Sequence, residues 1–151
     1  MSKFKASNFV ESFGYAWRGL KLAFNSQRNF VFEVIIAFFV ILVSVLLRFN
    51  FSDIAILVIM CAIVLICEMF NSVIEFSLDA VFKNEYSKLV EMAKDMSAGM
   101  VLLASITSIV VGVIIFVSNL VWFLSLRGCL SQSNLGGKGH SEGLSRRIAK
   151  S

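Results

Sequence analysis

Three long, mainly apolar stretches constrain what this chain of 151 residues can fold into. They cover residues 30–47, 54–82 and 98–126. Runs of about 18 apolar residues are long enough for a helix to cross the hydrocarbon core of a bilayer. The composition agrees, because 58% of the residues are hydrophobic and only 16% are charged. The stretches therefore predict an all-α integral membrane protein with three transmembrane helices.

The N-terminal segment has the pattern of a helix that lies on a membrane surface. Its large apolar residues recur at helical spacing on one face: Phe9, Phe13, Trp17, Leu20 and Phe24. Arg18 and Lys21 project from the opposite side. This pattern is typical of an amphipathic helix in the headgroup region, although a helix packed on a protein core would share it. We predict an amphipathic interfacial helix over residues 1–29 and a three-helix transmembrane domain over residues 30–126.

Charge and composition give the expected orientation and the nature of the C-terminal end. Lysine and arginine are concentrated before the first span and in a polar connector over residues 83–95, whereas Arg48 is the cation of the opposite turn. The positive-inside rule then places the N-terminus and the connector in the cytoplasm. Residues 127–151 are rich in glycine, serine and charge and are predicted to form a flexible tail. The net charge of +4 favours anionic lipid headgroups or a phosphorylated substrate over nucleic acid as a partner.

The second apolar stretch ends in the sequence CEMFNSVIEFSLDA, residues 67–80, which carries an unusual set of polar side chains. Glu68, Asn71, Glu75 and Asp79 fall within an arc of about 80° when they are placed on a helix at 100° per residue. We call these four residues the polar stripe. Like charges on one helix face repel each other and resist burial, so helix packing alone explains the stripe poorly.

A bound cation would relieve this repulsion. Mg²⁺ is usually held by one or two carboxylates, with waters and phosphate oxygens completing its shell. Lys94 and Asp95 lie in the connector, towards which the stripe runs. The combination predicts a magnesium–nucleotide site where the second helix meets the cytoplasm.

Several ordered motifs resemble one family. EMFNSVIEFSLD is similar to the E-x-x-N-[ST]-x-[IL]-E-x-x-x-D signature of the prokaryotic diacylglycerol kinase and undecaprenol kinase family of small membrane lipid kinases. AKDMSAG, residues 93–99, is similar to its A-K-D-x-x-[AS]-[AG] element, and GYAWRGL and QRNF resemble its N-terminal helix and the elbow after it. The resemblance covers about residues 9–118.

The resemblance implies a homotrimer in the bacterial inner membrane that transfers the γ-phosphate of Mg-ATP to a lipid hydroxyl at the cytoplasmic interface. It implies that Glu68 is the general base, and that Glu75 and Gln27 hold Mg²⁺. One branch of the family has glutamate at the position of Gln27. The implied nucleotide-binding residues are Tyr15, Asp79, Lys94 and Asp95, and the implied substrate-binding or orienting residues are Asn71, Ser72 and Trp17.

Three alternatives remain at this level. The acceptor that the resemblance favours is diacylglycerol, giving phosphatidic acid, with undecaprenol as the alternative. A non-catalytic helix bundle would use the polar stripe only for packing. A proton or ion carrier is disfavoured, because a relay should continue across the membrane, whereas residues 54–66 have no ionisable group beyond a cysteine thiol and the third predicted span has none.

Overall fold

The computed structural model describes residues 8–83 and 87–148, with the backbone alone for residues 126–148. In this part of the chain it contains four α-helices and no β-strand. They are α1 Phe9–Ser26, α2 Arg28–Leu46, α3 Phe51–Phe82 and α4 Lys88–Ile148. The predicted domain of residues 1–29 thus begins in residues 1–7, which lie outside the described residues.

Three of the helices are long and apolar enough to cross a membrane. They cover Arg28–Leu46, Phe51–Phe82 and Lys88–Ser125, with mean hydropathies of 2.6, 2.6 and 2.8. Large apolar side chains along them, such as Leu46 and Leu103, are mostly exposed. Such exposure is expected where the surroundings are lipid rather than water. The all-α class and the three apolar spans are therefore confirmed.

The last helix begins earlier than the sequence analysis predicts. Residues 83–95 are predicted there to be a polar connector, but α4 already begins at Lys88 and includes Lys94 and Asp95. The stretch KLVEMAKD is polar, yet lysine, leucine, glutamate, methionine and alanine are all good helix formers. The polar residues therefore mark where α4 leaves the apolar layer, not where the helix begins.

The chain divides into two compact units between Val111 and Gly112. The second unit holds the rest of α4, where Ser118 and Asn119 donate hydrogen bonds to carbonyl groups of their own helix at 2.8 and 2.9 Å. The backbone of the predicted tail is helical through Ile148, and residues 149–151 lie outside the described residues. The flexibility of residues 127–151 stays a prediction.

A single residue joins α1 to α2. Gln27 has an extended backbone, with φ −112° and ψ 103°, and is both the C-cap of α1 and the N-cap of α2. Phe24 and Phe30 meet across this elbow edge to face, with ring centroids 5.1 Å apart. Phe30 is only 3% exposed, so the elbow has a small apolar core of its own. This contact packs the last turn of α1 against the first turn of α2.

A tight turn joins α2 to α3 and makes the two helices an α-hairpin. Arg48 adopts a left-handed conformation with φ 57°, and the Phe49 N–H donates to the Ser44 carbonyl at 3.0 Å. This six-to-one bond satisfies a carbonyl at the end of α2, as in a Schellman motif. Asn50 then caps α3, because its side chain accepts a hydrogen bond from the Asp53 N–H at 2.9 Å.

Candidate functional site

The buried polar side chains of the first unit are concentrated near the polar stripe. Glu68, Asn71, Ser72 and Ser97 are each no more than 7% exposed, and Ser44 is the other polar side chain buried in the described part of the chain. Ser44 lies in the last turn of α2 and donates to the Ile41 carbonyl of the same helix, so its hydrogen bond is local. A polar interior in an apolar helix bundle is costly unless its groups are paired. The hydrogen bonds and ion pairs of these polar side chains therefore define the site.

Asn71 lies at the centre of the pairing between α3 and α4. Its Nδ2 donates to Glu75 Oε1 at 3.4 Å, and its Oδ1 accepts from the Ser97 hydroxyl at 2.6 Å. Ser97 Oγ also lies 2.8 Å from the Lys94 carbonyl on its own helix. The amide of Asn71 thus links a carboxylate of α3 to a hydroxyl of α4.

The elbow before α2 reaches the same site. The Asn29 side chain forms a hydrogen bond with the Glu68 carboxylate, which is itself 3% exposed. Glu68 also lies close enough to Glu33 of α2 and to Glu75 for their charges to interact. Three carboxylates from two helices therefore share one partly buried region, where their negative charges oppose each other unless a proton or a cation is present.

Asp79 and Lys94 form an ion pair between α3 and α4. Lys94 Nζ lies 2.5 Å from Asp79 Oδ1, and the two side chains are 36% and 41% exposed, respectively. Such exposure leaves both groups reachable from water, and an exposed ion pair contributes little to stability. The pair is thus a charged, accessible end to a site whose other end is buried.

The remaining predicted site residues occupy different surroundings. Gln27 is half-buried at the elbow, two residues before Asn29, and Asp95 is exposed beside Lys94. Ser72 is buried, and its hydroxyl donates to the Glu68 carbonyl at 3.0 Å. The structure therefore gives Ser72 a bond within its own helix, and its predicted contact with substrate stays a prediction.

The two predicted residues of α1 are exposed. The Tyr15 hydroxyl donates to Glu11 Oε1 at 3.1 Å, and Arg18 lies 4.6 Å from the centroid of its ring. Trp17 is 54% exposed. These contacts stabilise α1 itself, and in the described part of the chain they do not join Tyr15 to the polar stripe. Its predicted role with nucleotide therefore remains a prediction.

The donor chemistry of the site suits a magnesium ion that is shared with a phosphate. In the described part of the chain no three acidic, histidine or cysteine side chains converge to hold a metal by themselves. Mg²⁺ does not require such a cage, since one or two carboxylates with phosphate oxygens and waters suffice. Glu75 is half-buried and oriented by Asn71, so it is a fitting ligand.

A pocket of about 150 Å³ lies between α2, α3 and the first part of α4. It is lined by Glu33, Ile36, Ala37, Cys61, Val64, Leu65, Ser105, Ser108 and Ile109. Glu33 Oε2 is buried and has no hydrogen-bond partner among the described residues. A buried carboxylate oxygen of this kind is suited to accept a hydrogen bond from a bound molecule. The pocket is therefore apolar along most of its wall and has an acceptor at Glu33.

Sequence reasoning missed three residues that the structure brings to the site. Asn29 lies in the QRNF motif, but only Gln27 of that motif is singled out by the sequence. Glu33 could have been suspected as a carboxylate inside an apolar span. Ser97 carries no signal, because its hydroxyl is one of many in the chain and its partner is 26 residues away.

The fold and the site together define a class, namely a small integral membrane protein of apolar helices. Its polar side chains form a cluster of carboxylates and amides around Glu68, Asn71 and Glu75. Prokaryotic diacylglycerol kinase is the family whose sequence pattern matches, over residues 14–116. That match covers more than half of the chain, which therefore belongs to the prokaryotic diacylglycerol kinase family. The family predicted from the motifs is confirmed.

Curated relatives carry two names. A diacylglycerol kinase of Synechocystis is 37% identical over 107 residues, which cover 71% of this chain and 61% of the relative. An undecaprenol kinase of Bacillus subtilis is 27% identical over 114 residues, covering 76% of this chain and 92% of the relative. A diacylglycerol kinase of Escherichia coli is 28% identical over 104 residues, covering 69% and 84%. The match thus spans about three fifths of the Synechocystis protein. The names of the relatives support a lipid kinase.

Proposed function

We propose that the protein is an ATP-dependent lipid kinase that transfers the γ-phosphate of Mg-ATP to a membrane lipid hydroxyl. The observation that carries the proposal is that the buried Glu68 shares one face of α3 with Asp79, which forms an accessible ion pair with Lys94 of α4. Phosphoryl transfer needs mainly positioning and charge neutralisation, with a base for the attacking hydroxyl. Family membership and the relatives' names support the same chemistry.

Glu68 is the proposed general base. Its carboxylate is buried beside Asn29 and within the electrostatic range of Glu33 and Glu75. A base in such surroundings can accept the proton of an attacking hydroxyl when the acceptor is placed within hydrogen-bond distance. The neighbouring pocket with its unpaired Glu33 oxygen offers a place for the apolar part of a lipid next to that hydroxyl.

Glu75 and Gln27 are the proposed magnesium ligands. Mg²⁺ held by these two side chains would supply positive charge next to the phosphates of the nucleotide. On this chain's side, Asn71 holds the Glu75 carboxylate by a hydrogen bond, while Gln27 offers an uncharged amide oxygen from the elbow. Tyr15, Asp79, Lys94 and Asp95 are the proposed nucleotide contacts, and Ser72 and Trp17 the proposed substrate contacts.

The assembly and location are also part of the proposal. A homotrimer would cover part of the apolar surface that a single chain exposes. In the bacterial inner membrane, α1 would lie at the surface, and the N-terminus and the site would face the cytoplasm, where ATP is available.

Diacylglycerol is the proposed acceptor, because the 37% identical Synechocystis relative is named a diacylglycerol kinase. Undecaprenol is the second candidate, because the Bacillus subtilis relative of that name matches over 92% of its length. Transfer of labelled γ-phosphate in mixed micelles separates the two. We expect diacylglycerol to be phosphorylated at least about tenfold faster than undecaprenol, a difference of about 1.4 kcal/mol in transition-state stabilisation. The reverse order would identify an undecaprenol kinase, and no transfer to either lipid by the folded protein would overturn the kinase proposal.

A substitution of Lys94 can distinguish an effect on nucleotide binding from an effect on the stability of the fold. Replacing Lys94 with glutamine is expected to raise the KM for ATP about 10- to 100-fold, since hydrogen bonds to charged groups contribute about 1.5–3 kcal/mol. The free energy of unfolding should change by less than about 1 kcal/mol, because the ion pair with Asp79 is partly exposed. Lys88→Gln, which removes an exposed charge from the first turn of the same helix, is the matched control.

If Lys94→Gln instead unfolded the protein while leaving the KM for ATP unchanged in the folded fraction, the role of Lys94 would be structural. Steady-state kinetics and chemical denaturation in the same detergent distinguish the two results.

A further inference from the structure

We propose that Ser97 is a positioning residue that sets the orientation of the Asn71 amide and, through it, the Glu75 carboxylate. The inference rests on the proposed kinase function for its consequence in catalysis, but its structural part stands on contacts alone. Ser97 occupies a position that the A-K-D-x-x-[AS]-[AG] pattern leaves open, so its role does not follow from the resemblance. It is 1% exposed, and its hydroxyl reaches two protein acceptors.

A serine hydroxyl has one hydrogen to donate, and Ser97 has two acceptors within reach. Asn71 Oδ1 lies at 2.6 Å and the Lys94 carbonyl at 2.8 Å. When the hydrogen points to Asn71, the amide presents its Nδ2 to Glu75, as the 3.4 Å contact requires. When the hydrogen points to Lys94, the serine oxygen faces Asn71 and can only accept from its Nδ2.

The arrangement in which the Ser97 hydrogen points to Lys94 is unfavourable where the Asn71 amide faces Glu75. Turning the Asn71 Nδ2 towards Ser97 would turn its oxygen towards the Glu75 carboxylate, and two acceptors would then oppose each other at a partly buried contact. The charge on Glu75 and the hydroxyl of Ser97 therefore select the same orientation of the amide. Loss of the hydroxyl leaves Glu75 as the only one of the two groups that still favours this orientation.

The same contact joins two parts of the proposed site. Ser97 lies one turn after Lys94 on α4 and contacts α3 at Asn71, between Glu68 and Glu75. A displaced Asn71 would therefore alter the Glu75 side of the site, while the Asp79–Lys94 pair keeps its own contact. This selectivity distinguishes positioning from a general loosening of the helix pair.

The test compares Ser97→Ala with Ser118→Ala, a control on the same helix whose hydroxyl bonds only the Ile114 carbonyl of that helix. We expect Ser97→Ala to raise the Mg²⁺ concentration for half-maximal kcat by about three- to tenfold, the effect of one lost hydrogen bond. Ser97→Ala also removes a buried hydrogen bond between α3 and α4, so its thermal midpoint should lie a few degrees below that of Ser118→Ala while the protein stays folded. An unchanged Mg²⁺ requirement would overturn the inference.

A double-mutant cycle shows whether Ser97 acts through Asn71. If it does, Ser97→Ala has no further effect on the Mg²⁺ requirement in an Asn71→Ala background, whereas independent effects would multiply and contradict the inference.

A readout without turnover separates this inference from the proposed function. The side-chain amide protons of Asn71, followed by NMR in micelles, should exchange with solvent about three- to tenfold faster in Ser97→Ala than in the unaltered protein. Unchanged exchange would overturn the positioning role even in an active kinase. A protein that shows the exchange effect but phosphorylates no lipid would instead overturn the proposed function.

Discussion

Replacing Glu68 with glutamine is expected to lower kcat for lipid phosphorylation by about 10²- to 10⁴-fold, the range that a positioned general base contributes. The amide has nearly the same shape, but it cannot take the proton of the attacking hydroxyl. The fold should survive, because the change removes a negative charge from a buried position close to Glu33 and Glu75. Kinetics in mixed micelles and the thermal midpoint of the same preparation measure both effects.

Asp53→Asn is the matched control for this prediction. It makes the same exchange of acid for amide on the same helix, but in the first turn of α3, where Asp53 is bonded to Asn50. It should leave kcat within about twofold of the unaltered protein, since substitutions away from the site change little beyond local stability. If Glu68→Gln kept more than a tenth of the activity, a purely structural polar stripe would be the better explanation.

The second large effect is expected at Glu75. Glu75→Gln should raise the Mg²⁺ concentration for half-maximal activity by at least about tenfold, which is the lower limit for losing even a group that only supports a metal ligand. Excess Mg²⁺ should restore part of the rate, because the remaining ligands and the phosphate oxygens are still present. A titration of kcat against free Mg²⁺ at saturating ATP measures the shift.

Glu91→Gln, in the first turn of α4, controls for the loss of one negative charge near the same end of the bundle. Its Mg²⁺ titration should overlay that of the unaltered protein. If Glu75→Gln lowered the maximal rate without moving the titration, Glu75 would position other groups and would not hold the ion.

The positions of the helices could be predicted from periodicity and apolar length alone. The first span is predicted over residues 30–47 and observed as Arg28–Leu46, because a helix that crosses a membrane must satisfy its backbone internally along its whole apolar length. The start of α4 is wrong in the prediction, because the residues from Lys88 to Asp95 are polar by side chain but favourable to helix by propensity.

The site is predictable only in part, and for a physical reason. Glu68, Asn71, Glu75 and Asp79 lie on one helix, so a helical wheel places them together without knowledge of the fold. The partners Asn29 and Ser97 come from other helices, and their approach depends on how those helices pack. Side-chain spacing within one segment carries no information about such approaches, whereas an opposite-charge pair such as Asp79–Lys94 is at least suggested by its chemistry.

The elbow at Gln27 makes the number of residues between α1 and α2 a determinant of the site. One extended residue ends the first helix and begins the second, and Phe24 packs on Phe30 across it. Adding or removing a residue there would change the direction and the rotational phase of α1 relative to α2 and break that ring contact. The rotational phase of α1, and with it the direction of Tyr15 and Trp17, therefore depends on there being one residue between the two helices.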